Sequence, residues 1–137
     1  SVDRIELLQE IIKQKSKMEN SKVLKLLFEV HTGEESKSGF TDIGELERAL
    51  ELAGENKKLG IQCDGFMTMA PLTEDKNLIR QSFRQLATLS EKLKSQYKEL
   101  PLTELSMGMS SDFEIAIEEG STIVRIGTAI FGARQYV

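Results

Sequence analysis

The sequence predicts an α/β fold in which parallel strands alternate with helices. Three observations carry this: apolar residues recur at helical spacing in three long stretches, short apolar runs separate those stretches, and no linker-like or low-complexity segment intervenes. Strands alternating with helices imply right-handed crossovers and therefore a parallel sheet. A chain of 137 residues fits one domain.

Residues 3–18 place Ile5, Leu8 and Ile12, with Leu7 and Ile11 beside them, on one helical face, with Lys13, Lys15 and Lys17 near the C-terminal end. Residues 23–30 (VLKLLFEV) read as a first strand, apolar enough to be covered on both faces. Asp42, followed three residues on by Glu45, approximates a capping box for a helix with Ile43, Leu46, Leu50 and Ala53 on its stripe, ended by Gly54. Residues 61–69 (IQCDGFMTM) form a second strand, stopped by Pro71, which lacks a ladder donor. The longest helix covers 75–97: Ile79, Phe83, Leu86, Leu93 and Tyr97 trace its stripe, and Leu78 and Leu89 widen the buried face. Residues 102–109 (LTELSMGM) form a third strand. Ser111 and Glu114 make the S-x-x-E pair of a short helix over 112–119, with Gly120 at its C-cap. A fourth strand, 122–127 (TIVRIG), precedes one extra helical turn, Ala129 to Phe131.

Eighteen Lys and Arg against 22 Asp and Glu give a formal net charge of −4, so no whole-protein field draws in a nucleic-acid backbone. No apolar run approaches the roughly 20 residues a membrane-spanning helix needs. A single cysteine, Cys63, cannot form an internal disulfide and reads as a small buried hydrophobe, and with no signal segment a reducing cytoplasm is the expected compartment. The chain opens at Ser1 in mid-pattern, as a piece of something longer would.

In parallel α/β sheets ligands bind where the strands end at their carboxyl side. The third such loop, MGMSSD, offers Gly108 for close backbone approach and the hydroxyls of Ser110 and Ser111. The fourth offers Gly127 and Thr128 at the start of the extra turn. Two helix N-termini beside two hydroxyls can cup a phosphate without any lysine; the same residue types are also common turn and capping pairs. Arg125 alternates with Val124 and Ile126, so its guanidinium faces the other side of a strand and needs either a neighbouring carboxylate or a ligand acceptor. Glu29 and His31 share a parity at the end of the first strand. His31, the only histidine, is a candidate base or donor at a barrel mouth, or simply a solvated turn residue, and nothing completes a metal set. Met67, Met69, Met107 and Met109 gather at two strand ends as pocket wall or as core.

The segment LSMGMSSDFEIAIEEGSTIVRIGTAIFGAR, residues 105–134, strongly resembles the C-terminal signature of the pyridoxal-phosphate homeostasis proteins, the YggS and PROSC-like family related to the barrel domain of alanine racemase. GEESKSGF (33–40), GFMTMAP (65–71) and SVDR (1–4) fall in the family's order. The resemblance implies the C-terminal half of a (β/α)8 barrel that holds pyridoxal 5′-phosphate as a Schiff base and stores or delivers it, without established turnover. By position, Ser110, Gly127 and Thr128 would hold the phosphate, Arg125 would face the pyridine nitrogen and Met109 would border the ring. Where the family shows a Gln-x-Asn pair this chain has Glu29 and His31. The family's A-V-S-K strand with the cofactor-bearing lysine, and its F-G-E-N-Y and H-F-I-G-x-L-Q motifs, are absent from this sequence. Non-covalent pyridoxal phosphate, or phosphate or sulfate alone, is therefore the expected ligand, with Lys37 too exposed and protonated for a stable covalent link. A barrel needs about 250 residues and eight strands, so pairing with a separate N-terminal half, or homodimerisation, is expected. Three classes of function remain: a carrier or regulator of pyridoxal phosphate, a racemase-like enzyme, and a structural half-barrel that binds only an anion.

Overall fold

The computed structural model describes residues 1–19, 22–33 and 38–133. The order is α1 (Ile5–Lys15), β1 (Leu24–Glu29), α2 (Ile43–Glu55), a 3-10 turn (Lys57–Leu59), β2 (Ile61–Met67), α3 (Lys76–Gln96), β3 (Glu104–Met109), α4 (Phe113–Glu118), β4 (Ile123–Arg125) and α5 (Thr128–Phe131). Each expected element forms, within a few residues of its expected bounds.

The four strands are parallel and lie in chain order, β1-β2-β3-β4. A sheet whose order follows the chain, joined by right-handed crossovers, keeps every crossover helix on one face, as in a barrel wall. A doubly wound sheet would instead reverse its order part-way. Leu26, Phe28, Cys63, Phe66 and Met107 meet the helical layer of Leu8, Leu46, Leu50, Phe83, Leu86 and Leu93, all buried. Burying each of these large side chains contributes about 1.5–3 kcal/mol.

The opposite face carries polar groups. Lys25 pairs with Asp64 at 3.3 Å, Gln62 donates to the same carboxylate, and the Thr122 hydroxyl donates to Glu104 at 2.6 Å. The expectation that β1 is covered on both faces therefore fails: Lys25, on the side opposite Leu26 and Phe28, is exposed, because among the described residues helices cover only one side. At the outer edge of β1, Val2 N donates to Leu27 O and Val2 O accepts from Glu29 N, both at 2.8 Å, so residue 2 pairs as a strand residue would.

Two further expectations are corrected. Gly54 does not end α2; the helix runs to Glu55, where the Asn56 side chain donates to Leu52 O, and the left-handed break falls at Gly60. Leu78 does not widen the buried face of α3 but is 49% exposed, while Ile79 beside it in the same turn is buried. Of the two alternatives for Met107, pocket wall and core, the structure shows core: it is fully buried on the helical side. Two caps form as expected. Asp42 accepts from Glu45 N at 2.7 Å, and Gly120 N and Ser121 N close α4 in a Schellman pattern on Ile117 O and Ala116 O. Cys63 lies in the core, and burial pushes its thiol up to about 12, so it stays protonated and inert at neutral pH.

Candidate functional site

The carboxyl ends of β3 and β4 build one pocket of about 490 Å³. It is lined by Met109, Ser110, Ser111, Arg125, Gly127 and Thr128, with Phe131 and Gly132 at its rim. All five residues singled out from the sequence as cofactor-binding, Met109, Ser110, Arg125, Gly127 and Thr128, thus meet in one place. Met109 and Arg125 are register partners, and because neighbouring parallel strands end side by side, the loops that follow them must adjoin.

The Ser110 hydroxyl oxygen accepts from Gly127 N and Ala129 N, each at 3.2 Å. Two amides at the start of α5 therefore converge on a point where an acceptor oxygen already sits. A β-carbon built on Gly127 meets no heavy atom within 4 Å, so glycine leaves open space at the pocket wall. Converging amides, a hydroxyl and an unfilled cradle fit a phosphate oxygen. Gly108 serves a different end: a β-carbon there would lie 2.6 Å from the Ala116 β-carbon, so glycine allows α4 to close onto β3 beneath the loop.

Arg125 crosses the sheet. One terminal nitrogen donates to Ser106 O at 2.9 Å and Ser106 Oγ at 2.7 Å, and the other to Thr68 O at 2.9 Å. Backbone carbonyls and one hydroxyl anchor it, rather than the neighbouring carboxylate that was one of its two alternatives. Burial lowers its pKa, opposed by the charges of Glu29 and Asp112. A guanidinium so held stays a cation and offers only donors to the pocket.

Glu29 and His31 do not line this pocket. Glu29 is buried and accepts from Ser38 Oγ at 2.8 Å, while His31 Nε2 is buried without a hydrogen-bond partner among the described residues. Thr32, Thr68 and Ser82 instead form a chain of hydroxyls with 2.6 Å links. Lys37 lies outside the described residues.

Ser111 does not cap α4. The cap position belongs to Asp112, whose carboxylate turns away from its own helix and accepts from Met109 N at 2.6 Å. The S-x-x-E spacing was sound as a local signal, but the strand-end amide competes for the nearer carboxylate. Sequence reasoning missed Asp112, Ser106 and Phe131, none of which stands in a pattern distinct from ordinary turn or strand residues. Behind the loop, Arg84 and Arg80 hold the Glu119 carboxyl below its ordinary value by hydrogen bonds, and Arg80 also meets Glu118, latching α3 to α4.

A chain-ordered parallel sheet with helices on one side, and its loops and helix starts gathered at the strand ends, defines the class of barrel-type α/β proteins. The chain belongs to the alanine racemase N-terminal domain family, whose model matches residues 1–135. It is 42% identical to the pyridoxal phosphate homeostasis protein of Aquifex aeolicus over 136 residues, 99% of this chain and 58% of that protein. The Vibrio alginolyticus protein of the same name is also 42% identical, over 99% of this chain and 56% of its own length. This chain therefore spans little more than half the length of these relatives. Among solved structures, PipY of Synechococcus elongatus PCC7942 superposes with a TM-score of 0.85 without PLP and 0.83 with PLP bound. The pair are 33% and 32% identical to this chain and match 96% of it against 60% and 59% of PipY. Alanine racemase of Corynebacterium glutamicum, at 16% identity and a TM-score of 0.63 over 95% of this chain and 34% of that enzyme, shares the fold.

Proposed function

We propose that this chain forms the phosphate-holding part of a pyridoxal 5′-phosphate carrier or regulator. The observation that carries the reading is the single pocket that brings Ser110, Gly127 and Thr128 together with Arg125 and Met109. The relatives' name and the PLP-bound PipY supply the ligand. In this reading the α5 amides and the Ser110 and Thr128 hydroxyls grip the phosphate, and Met109 packs beside the ring. Arg125 can only donate, so it favours an aromatic nitrogen that accepts and opposes its protonation through charge repulsion. When bound, pyridoxal phosphate supplies an electron sink, which an unprotonated ring nitrogen weakens. Transport or storage fits this better than vigorous catalysis. A racemase would need two bases at the site, and among the described residues no histidine lines the pocket.

Titration of the chain with pyridoxal 5′-phosphate, followed by absorbance and calorimetry, tests this. Saturable one-to-one binding that inorganic phosphate displaces is expected; binding indifferent to millimolar phosphate, or none, overturns it.

The partner follows from the sheet. β4 lies at an edge, and Ile123, Ile130 and Phe131 beside it are 38%, 67% and 85% exposed. An open strand edge next to apolar surface invites pairing. We infer that a second copy, or the further strands that the longer relatives possess, closes this edge. Size-exclusion chromatography with intact-mass analysis is expected to give a dimer or a complex, and a well-folded monomer refutes the inference.

A further inference from the structure

We propose that Asp112 is a positioning residue for the phosphate cup: its carboxylate sets where Ser110 stands. The proposal rests on the anion-binding reading above. The Asp112 side chain accepts from Met109 N at 2.6 Å while Asp112 N donates to Met109 O at 3.1 Å. These two bonds close the four-residue turn Met109–Asp112, and Ser110 is inside it. Ser110 Oγ in turn accepts from Gly127 N and Ala129 N. The carboxylate is thus linked to the cup through one closed turn and one hydroxyl.

The way Asp112 is used supports this. It occupies the N-cap of α4, yet makes no side-chain bond to that helix. An aspartate at an N-cap normally satisfies one of the first helical amides, worth about 1 kcal/mol. Here the carboxylate is buried, with Asp112 only 8% exposed, and is directed back to the strand end. Its charge also reaches Arg125, the register partner of Met109. One side chain therefore touches the geometry of the cup and the charge at the other end of the pocket.

The sign of a mutational effect separates positioning from charge. A carboxylate beside an anion site repels the anion, so on electrostatics alone Asp112→Ala should tighten binding of inorganic phosphate. If Asp112 positions Ser110, the same change loosens the turn and weakens binding, by about tenfold for one lost buried hydrogen bond. Asp112→Asn keeps an acceptor oxygen for Met109 N while losing the charge, and should bind phosphate as well as wild type or better. The measurement is calorimetric phosphate affinity of the three folded proteins, with amide hydrogen exchange at Gly127 and Ala129 in phosphate-free buffer as the second readout. We expect exchange at both amides to rise at least about tenfold in Asp112→Ala and to be restored in Asp112→Asn. Unchanged exchange in Asp112→Ala, or phosphate affinity equal to or above wild type there, overturns the proposal. Wild-type protein that binds no phosphate, with exchange still responding, overturns the anion-binding reading and leaves the positioning role standing.

Discussion

Gly65→Ala is expected to lower the melting temperature of the chain by roughly 10 °C. The β-carbon it adds would lie 1.9 Å from Glu104 O, 2.7 Å from Glu104 C and 2.8 Å from Glu104 N. All three are backbone atoms of β3, and Gly65 and Glu104 are register partners, so no side chain can rotate away to make room. Relief requires β3 to move off β2, which strains the pairing of Phe66 with Leu105 and of Met67 with Ser106. Gly65 also follows the bulge at which Asp64 is skipped in the β1–β2 register, so β2 has little freedom to shift on its other side. Forced overpacking costs about 1–3 kcal/mol or more, and a backbone clash belongs at the upper end. Against a total stability of about 5–15 kcal/mol, a loss above about 3 kcal/mol lowers the melting temperature by roughly 10 °C. Gly120→Ala is the matched control. Its φ is +96° but its β-carbon meets nothing within 4 Å, so it should cost only about 1 kcal/mol of backbone strain. Calorimetric melting of both variants is the check, and a Gly65→Ala midpoint within a few degrees of wild type contradicts the clash.

Gly127→Val should do the reverse, keeping the fold while abolishing ligand binding. The position has φ −118°, outside the left-handed region that favours glycine, and a β-carbon there enters open space. Nothing in the core changes, so melting should shift by less than about 1 kcal/mol, as for a surface substitution. The added methyl groups, however, occupy the wall of the 490 Å³ pocket beside the amide that points to Ser110 Oγ. Excluding the phosphate from that position should weaken pyridoxal 5′-phosphate binding by more than about 100-fold, or about 2.8 kcal/mol. The same titration that tests the wild type measures it; affinity within threefold of wild type would place the ligand elsewhere.

The two substitutions probe different layers of legibility. Helices and strands were readable because their signals are local. Asp42 accepts from the amide three residues ahead, and the stripe Ile79, Phe83, Leu86, Leu93 is a property of one helix's own period. The five pocket residues were readable by type and place, since strand ends in parallel sheets are where loops and helix starts collect. Misreadings fell where two local signals compete through space. Ser111 and Asp112 are both good caps in sequence, and only the position of Met109 N decides that the carboxylate serves the strand. Arg125 demanded partners on a strand, but that they are Thr68 O and Ser106 rather than a glutamate depends on the spacing of three strands.

By itself, the sequence determined the alternation of elements, the parallel α/β class and the residues that follow each strand, because hydrophobic period and turn chemistry act over a few neighbours. The tertiary structure decided that Ser110 meets Gly127 and Ala129, residues 17 and 19 positions away. That contact exists because β3 and β4 are adjacent and parallel, so the pocket is a consequence of strand order rather than of any one motif.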